Sequence, residues 1–303
     1  MIETSILVLT KNEGQNIGAC LEAIYSQKNV GMLEVVLVDS SSTDATLEIA
    51  RRYPVRIEQI PAEAFHHART RNFAASLAQG EFLVYLAADA LPATTGWLHA
   101  LVSNFSDPGV AGVYGRHLPK AGSTLERQDA LDAVYGEERL VKDPSCGSEL
   151  GYRYYHFSTV NAAIRKSVWQ ATPFPEDVKV FEDMAIAKRI LDGGGKIVYE
   201  PRAAVYHSHN HTTTGLLKRY FDAGVIWRQL KIWDGRMSSS LLRDMGRLLR
   251  KKISRFDGNG SSRAVGASIR QDLAKSAGLF LGLHERYLPL ALKRRLSAFR
   301  LFD

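Results

Sequence analysis

Apolar runs of strand length alternate with helix-periodic segments through the first two hundred positions of the chain. Ser5–Leu9 (SILVL) and Leu33–Val38 (LEVVLV) are nearly continuous, as expected of strands buried on both faces of a parallel sheet. Between them, Ile17, Leu21 and Ile24 share one face of a helix predicted over Asn16–Ser26. The tract Ser40–Asp44 offers a cap to a helix over Ala45–Tyr53, and Val55–Ile60 forms a third strand. Phe65–Pro92 then supplies a loop, a helix over Ala68–Ala78, a break at Gly80 and a fourth strand, Phe82–Leu86. Asp89 follows that strand, and Pro92 stops further pairing.

A helix over Gly96–Phe105 and a strand over Gly109–Tyr114 come next, then a helix over Leu125–Val141 and a loop, Lys142–Gly151, of the kind that closes over a site. Thr159–Arg165 reads as a strand and Glu182–Leu191 as an amphipathic helix closed by Gly193–Gly195. Short strands Ile197–Tyr199 and Ala203–His207 flank Pro201. From Leu216 the pattern turns helical: Leu216–Trp233, Ser238–Phe256, a linker Asp257–Ser262, Arg263–Leu283 and Leu288–Phe302. Strands alternating with helices imply βαβ units and a mostly parallel sheet with right-handed crossovers.

Composition changes this picture in one respect. Of 303 residues, 45% are hydrophobic and 23% charged, ordinary values for a globular chain. The net charge of +7 is spread unevenly, however: residues 216–303 carry 19 Lys/Arg against 7 Asp/Glu, and the first 215 carry 20 against 25. We therefore expect two units, 1–215 and 216–303, the second with a basic surface suited to a polyanionic partner. Few aromatics interleave with its charges, which argues against nucleic acid. Two cysteines, Cys20 and Cys146, exclude a disulfide framework or a Cys-rich zinc site and fit a reducing compartment. No apolar run nears the ~20 residues of a membrane span, and a strand begins almost at once, so neither a spanning helix nor a secretory leader is expected.

The candidate chemistry gathers at strand ends. The first strand ends on TKNEG instead of G-x-G-x-x-G, which excludes the usual dinucleotide fingerprint, and no phosphate-binding G-x-x-x-x-G-K motif follows. Glu13, Asp39 and Asp89 instead place acids at the carboxyl ends of three strands, where open α/β sheets bind ligands. Each alone is explained equally well as a turn or cap residue; their agreement in position favours a shared site. Glu182 and Asp183 open a helix, where acids also simply stabilise the N-terminus. His207, His209 and His211 alternate in HSHNHT, either lining a polar strand end or supplying imidazole to a cation. Arg71 and Asn72 lie on the helix before the fourth strand, as phosphate or base donors or as a solvated face.

In order and spacing, seven segments resemble the family-2 glycosyltransferases and, within them, bacterial rhamnosyltransferase-type members. They are ILVLTKNEGQNIGACLEAI, VVLVDSSSTDAT, FHHARTRNFAASLAQGEFLVYLAADALP, VYGRHLP, NAAIRKSVW, FEDMAIAKRIL and YEPRAAVYHSHNHT, spanning about residues 3–215. The resemblance implies a GT-A fold: an α/β architecture with a mostly parallel sheet flanked by helices, here with a C-terminal helical extension. It implies an inverting transfer of a sugar, with dTDP-rhamnose or otherwise a UDP-sugar as donor, onto a glycan or polyprenyl-linked acceptor. Thr10, Glu13, Asp39, Arg71 and Asp89 would hold the nucleotide sugar, Asp183 with its neighbour Glu182 would be catalytic, and Arg116 and His117 would face the acceptor. Asp89 matches the last acid of the family's D-x-D metal motif, but Ala87 and Ala88 fill the other two positions. Asp89 with His207 would hold Mn²⁺ or Mg²⁺. The thinned motif keeps a catalytically inactive nucleotide-sugar-binding protein as the alternative. The implied location is cytoplasmic and peripheral to the membrane, with Ser238–Phe256 as a basic amphipathic helix at an anionic surface.

Overall fold

Alternate residues of the N-terminal strands point to opposite faces, and each face has its own helical cover, in the computed structural model that describes residues 2–146, 150–232 and 262–303. Ile6 and Val8 of β1 (Thr4–Thr10), Val35 and Leu37 of β2 (Leu33–Asp39) and Val84 of β4 (Phe82–Ala87) pack on one side. They meet Ile17, Leu21 and Ile24 of α1 (Ile17–Tyr25) and Trp97, Leu98 and Leu101 of α4 (Trp97–Val102). Leu7, Val36, Val38, Leu83 and Tyr85 pack on the other. Their partners there include Ala68, Ala74 and Ala75 of α3 (His67–Leu77) and Ile186, Ala187 and Ile190 of α7 (Glu182–Asp192).

The strand order is β3-β2-β1-β4-β8-β6-β9-β5, where β3 is Arg56–Gln59, β5 Leu91–Pro92, β6 Val110–Leu118, β8 Asn161–Arg165 and β9 Lys196–Tyr206. β3, β2, β1 and β4 are parallel to one another, as are β6 and β9; β8 enters antiparallel between β4 and β6. The edge row is closed by Leu91 of β5 opposite Tyr206, which in turn lies opposite Leu118 of β6.

Several elements differ from expectation for local reasons. The helix predicted over Ala45–Tyr53 is only Thr46–Ala50 (α2). Asp44 shapes the turn that leads into it, accepting from the Thr46 N–H at 3.0 Å and from the Gly14 N–H at 3.0 Å. The helix predicted over Leu125–Val141 stops at Val134 (α5), and Leu140–Lys142 is instead a strand, β7, antiparallel to β9. Lys142 is fully buried there, its ammonium 2.5 Å from the His156 carbonyl and over the Tyr114 ring. Lys166–Ala171 forms a short unforeseen helix, α6. The two strands predicted over Ile197–Tyr199 and Ala203–His207 are one, β9, which ends at Tyr206, because Pro201 falls in a bulge: Gly115 pairs with Glu200 and His117 already with Val205.

The chain divides into two compact units: Met1–Ala121, Leu131–Val178 and Glu182–Ser208 in one, Gly122–Ala130, Lys179–Phe181 and His209–Asp303 in the other. The first holds the whole sheet. In the second, α8 (Thr213–Gln229) packs against α9 (Ser262–Leu283), with α10 (Leu290–Leu296) nearby in sequence. Gly278 and Gly282 permit that approach, since a Cβ on either would strike the carbonyl of Leu217 or Phe221. Asp222, buried on α8, accepts from the Ala298 and Phe299 N–H groups at 2.7 and 2.9 Å. No helix among the described residues is long and apolar enough to cross a membrane. The predicted basic helix Ser238–Phe256 lies outside the described residues, as does most of the linker after it.

Candidate active site

A cavity of about 270 Å³ opens at the carboxyl ends of β1 and β4. Thr10, Lys11 and Glu13 line it from the first strand end, Ser40 from the second, and Tyr85 and Ala87 from the fourth. Phe65 and His67, edge to face at 4.9 Å, form an aromatic wall, and Arg71 enters from α3. Three hydroxyls of lining residues, Thr10 Oγ1, Ser40 Oγ and Tyr85 Oη, are buried without a hydrogen-bond partner among the described residues. Buried hydroxyls are rarely left so, and their grouping around one cavity fits a polar ligand. Asp39 does not line the cavity; its carboxylate accepts from the Ser42 N–H at 2.9 Å and from the Ser42 hydroxyl, holding the β2–α2 loop.

Arg71 links this cavity to the acidic pair on α7. Its Nη1 lies 2.7 Å from Glu182 Oε1, both side chains being largely shielded from solvent, and also donates to the His67 carbonyl at 3.1 Å. Asp183, half-buried beside Glu182, accepts from the Met184 N–H at 2.8 Å and from the N–H of Thr159, itself a cavity residue. Burial, then the Glu182 charge, push the Asp183 carboxyl well above the usual carboxylate range; Arg71 and the two N–H groups offset only part of this. Asn72, one residue along α3, ties that helix to the Trp169–Phe174 segment. It donates to the Phe174 carbonyl (2.9 Å) and accepts from the Phe174 N–H and Trp169 Nε1, each at 3.0 Å.

Asp89 stands two residues beyond Ala87, in a turn closed by the Ala90 N–H on the Ala87 carbonyl at 2.9 Å. The row Leu91–Tyr206–Leu118 gathers three strand ends, so Asp89, His207 and Lys120 meet. Lys120 Nζ is 3.1 Å from Asp89 Oδ2, and His207 Nε2 is 3.5 Å from Oδ1. Burial opposes ionisation of Asp89, but the hydrogen bonds and charges of His207 and Lys120 outweigh it and hold the carboxyl well below the usual range. The Asp89–His207 spacing suits two ligands of one cation, since donors about 2.1 Å from an ion stand roughly 3 Å apart. Carboxylate with imidazole is a donor set for Mn²⁺-like ions. His207 meets His117 edge to face at 5.4 Å, and His117 stacks on Tyr135 at 4.2 Å. Arg116 turns instead to Glu137 at 3.3 Å. His209 and His211 belong to the second unit, their rings 6.1 Å apart.

Thr10, Glu13 and Arg71 thus line one cavity. Arg71 joins it to Glu182 and Asp183, while Asp89 gathers His207 and, through it, His117. The sequence reading did not single out Phe65, Tyr85, Lys120 or Tyr135 as site residues. Tyr85 was hidden in an apolar run; Lys120 lies in a turn with no spacing signal.

The model of the glycosyl transferase family 2 matches residues 5–171. The chain is 34% identical over 269 residues to the O-antigen chain rhamnosyltransferase WbaN of Salmonella anatum, covering 88% of this chain and 85% of that one. It is 30% identical over 302 residues to the O-antigen chain rhamnosyltransferase RfbN of Salmonella typhimurium, covering 99% and 95%. The mannosyltransferase PcManGT of Pyrobaculum calidifontis, solved with GDP-Man and Mn²⁺, superposes with a TM-score of 0.56 at 21% identity. The match covers 98% of this chain and 76% of that one, and it shows a shared fold.

Proposed function

Since the chain belongs to glycosyl transferase family 2 and is a glycosyltransferase of GT-A fold, we propose that it transfers rhamnose from dTDP-rhamnose, with inversion, to a hydroxyl of an O-antigen-type glycan. The names of the two Salmonella relatives support the sugar and the acceptor class. The observation that carries the mechanism is the Asp183 carboxylate beside Glu182, bonded to the Thr159 N–H in the wall of a cavity where three buried hydroxyls have no partner among the described residues.

Thr10, Glu13 and Asp39 serve the nucleoside, Asp39 by fixing the loop beneath it, and Phe65 and His67 give its base an aromatic wall. Arg71 faces the base and is held in place by Glu182. Asp183 takes the proton of the acceptor hydroxyl as that oxygen attacks the anomeric carbon; a carboxyl tuned upward is a better base for this than an ordinary one. The bond from the anomeric carbon to the diphosphate oxygen breaks, and the electron pair leaves with the diphosphate. A divalent cation, Mn²⁺ or Mg²⁺, held by Asp89 and His207 would supply positive charge to that leaving group. Arg116 and His117 lie on the acceptor side. The basic balance of residues 216–303 supports an acceptor carried at an anionic membrane face.

The test is transfer from a panel of dTDP-, UDP- and GDP-sugars to a lipid-linked glycan acceptor, with wild type and Asp183→Asn. We expect acceptor-dependent release of dTDP from dTDP-rhamnose, abolished in Asp183→Asn with donor binding retained. Near-normal turnover by that variant would refute the base assignment, and transfer from a UDP-sugar alone would refute the donor.

A further inference from the structure

We propose that Lys120 is the resident cation of Asp89: its ammonium yields that carboxylate to a divalent ion when a nucleotide sugar binds and passes to the donor's diphosphate. The second half rests on the glycosyl-transfer reading above; the first concerns the free chain alone.

The strand end reads Ala87-Ala88-Asp89, so one carboxylate stands where two alanines contribute no ligand. One of its oxygens is taken by Lys120 at 3.1 Å and the other faces His207 at 3.5 Å. One negative charge is little for a dication, and here an ammonium already neutralises it. An ion entering beside Asp89 must therefore displace Lys120 or share the site against its repulsion.

The backbone around Lys120 is anchored to the same strand end. Its N–H donates to Ser208 Oγ at 3.0 Å, and the His207 N–H donates to the Leu118 carbonyl at 2.9 Å. The side chain is freer: it is 31% exposed, against 14% for Asp89, on a stem with four rotatable bonds. It can swing without moving the strands. Ala87, two residues before Asp89, lines the cavity, so a diphosphate reaching from that cavity toward Asp89 meets a released ammonium. The exchange keeps Lys120 paired in both states, with a carboxylate before binding and a phosphate oxygen after.

The experiment titrates Mn²⁺ alone, by electron paramagnetic resonance, into wild type, Lys120→Met and Lys120→Arg, each checked for an unchanged thermal melt. Removing the like charge should tighten Mn²⁺ binding about tenfold or more in Lys120→Met, with Lys120→Arg close to wild type. Equal affinity in wild type and Lys120→Met, or no binding in either, overturns the resident-cation role. A second titration uses dTDP and UDP in the presence of Mn²⁺. Lys120→Met should then bind the nucleoside diphosphate about tenfold more weakly despite holding the ion more tightly; unchanged nucleotide affinity overturns the hand-over. Absence of sugar transfer by wild type under all conditions would sink the proposed function, while the Mn²⁺ comparison would still decide the role of Lys120.

Discussion

Glu182→Gln should shift the acid limb of the pH–rate profile downward. Glu182 adds to burial in pushing the Asp183 carboxyl upward, and it is itself held by Arg71 at 2.7 Å. A neighbouring charge in a shielded site moves a carboxyl by roughly 1–3 units. The Arg71 guanidinium cancels part of the Glu182 field, which puts the expected shift at the lower end, about one unit or ~1.4 kcal/mol. The sign is fixed: removing a negative neighbour, and leaving Arg71 free to act on Asp183, lowers the Asp183 pKa. The carboxylate then persists to lower pH, and so does activity. Gln keeps a neutral acceptor for Arg71, so the loss is of charge and not of shape. The assay is kcat/KM for the donor against pH at fixed, sub-saturating acceptor, which reports the ionisations of the enzyme before the donor binds. The limb in wild type should lie well above the ordinary carboxylate pKa of about 4. A limb that stays put or moves upward in Glu182→Gln would refute the coupling between the two acids.

Two further outcomes are expected. Asn72→Ala removes the acceptor of Trp169 and of the Phe174 N–H and the donor to the Phe174 carbonyl, and should cost roughly 2–3 kcal/mol in denaturant unfolding; a loss under about 0.5 kcal/mol would show that those groups find other partners. Tyr85→Phe deletes a buried hydroxyl without a partner among the described residues, so stability should hold or rise by up to about 1 kcal/mol while donor affinity falls in calorimetry; unchanged donor binding would remove Tyr85 from the ligand's surroundings.

The parallel half of the fold was legible because its strands are buried on both faces. Ile6, Leu7 and Val8 must all be apolar when each side of the sheet carries a helix layer, and such a run has one reading. β7 was not legible: three residues carry no periodicity, and Lys142 read as the polar start of a loop when it is in fact buried at the end of a strand and reaches the His156 carbonyl. β9 was split in two by Pro201, whose missing N–H is harmless only because a bulge, visible in the register alone, falls there. The candidate site was legible where it sits at ends of long strands, as with Thr10 and Asp89. Pairings across the sheet were not. Nothing in the spacing ties Lys120 to Asp89, or shows that Arg71 is spent largely on Glu182.

The row Leu91–Tyr206–Leu118 also bears on the order in which the protein acquires its parts. β1, β2 and β4 pair within the first ninety residues, whereas Lys120 and Ser208 are 88 positions apart and β9, the strand just before His207, is the last of the sheet in chain order. Loop closure makes such pairings late events in folding. Until β9 is seated between β5 and β6, Asp89 faces neither Lys120 nor His207. During refolding, and during synthesis from the N-terminus, the contacts of Asp89 with Lys120 and His207 are therefore expected to be among the last in the sheet unit to form.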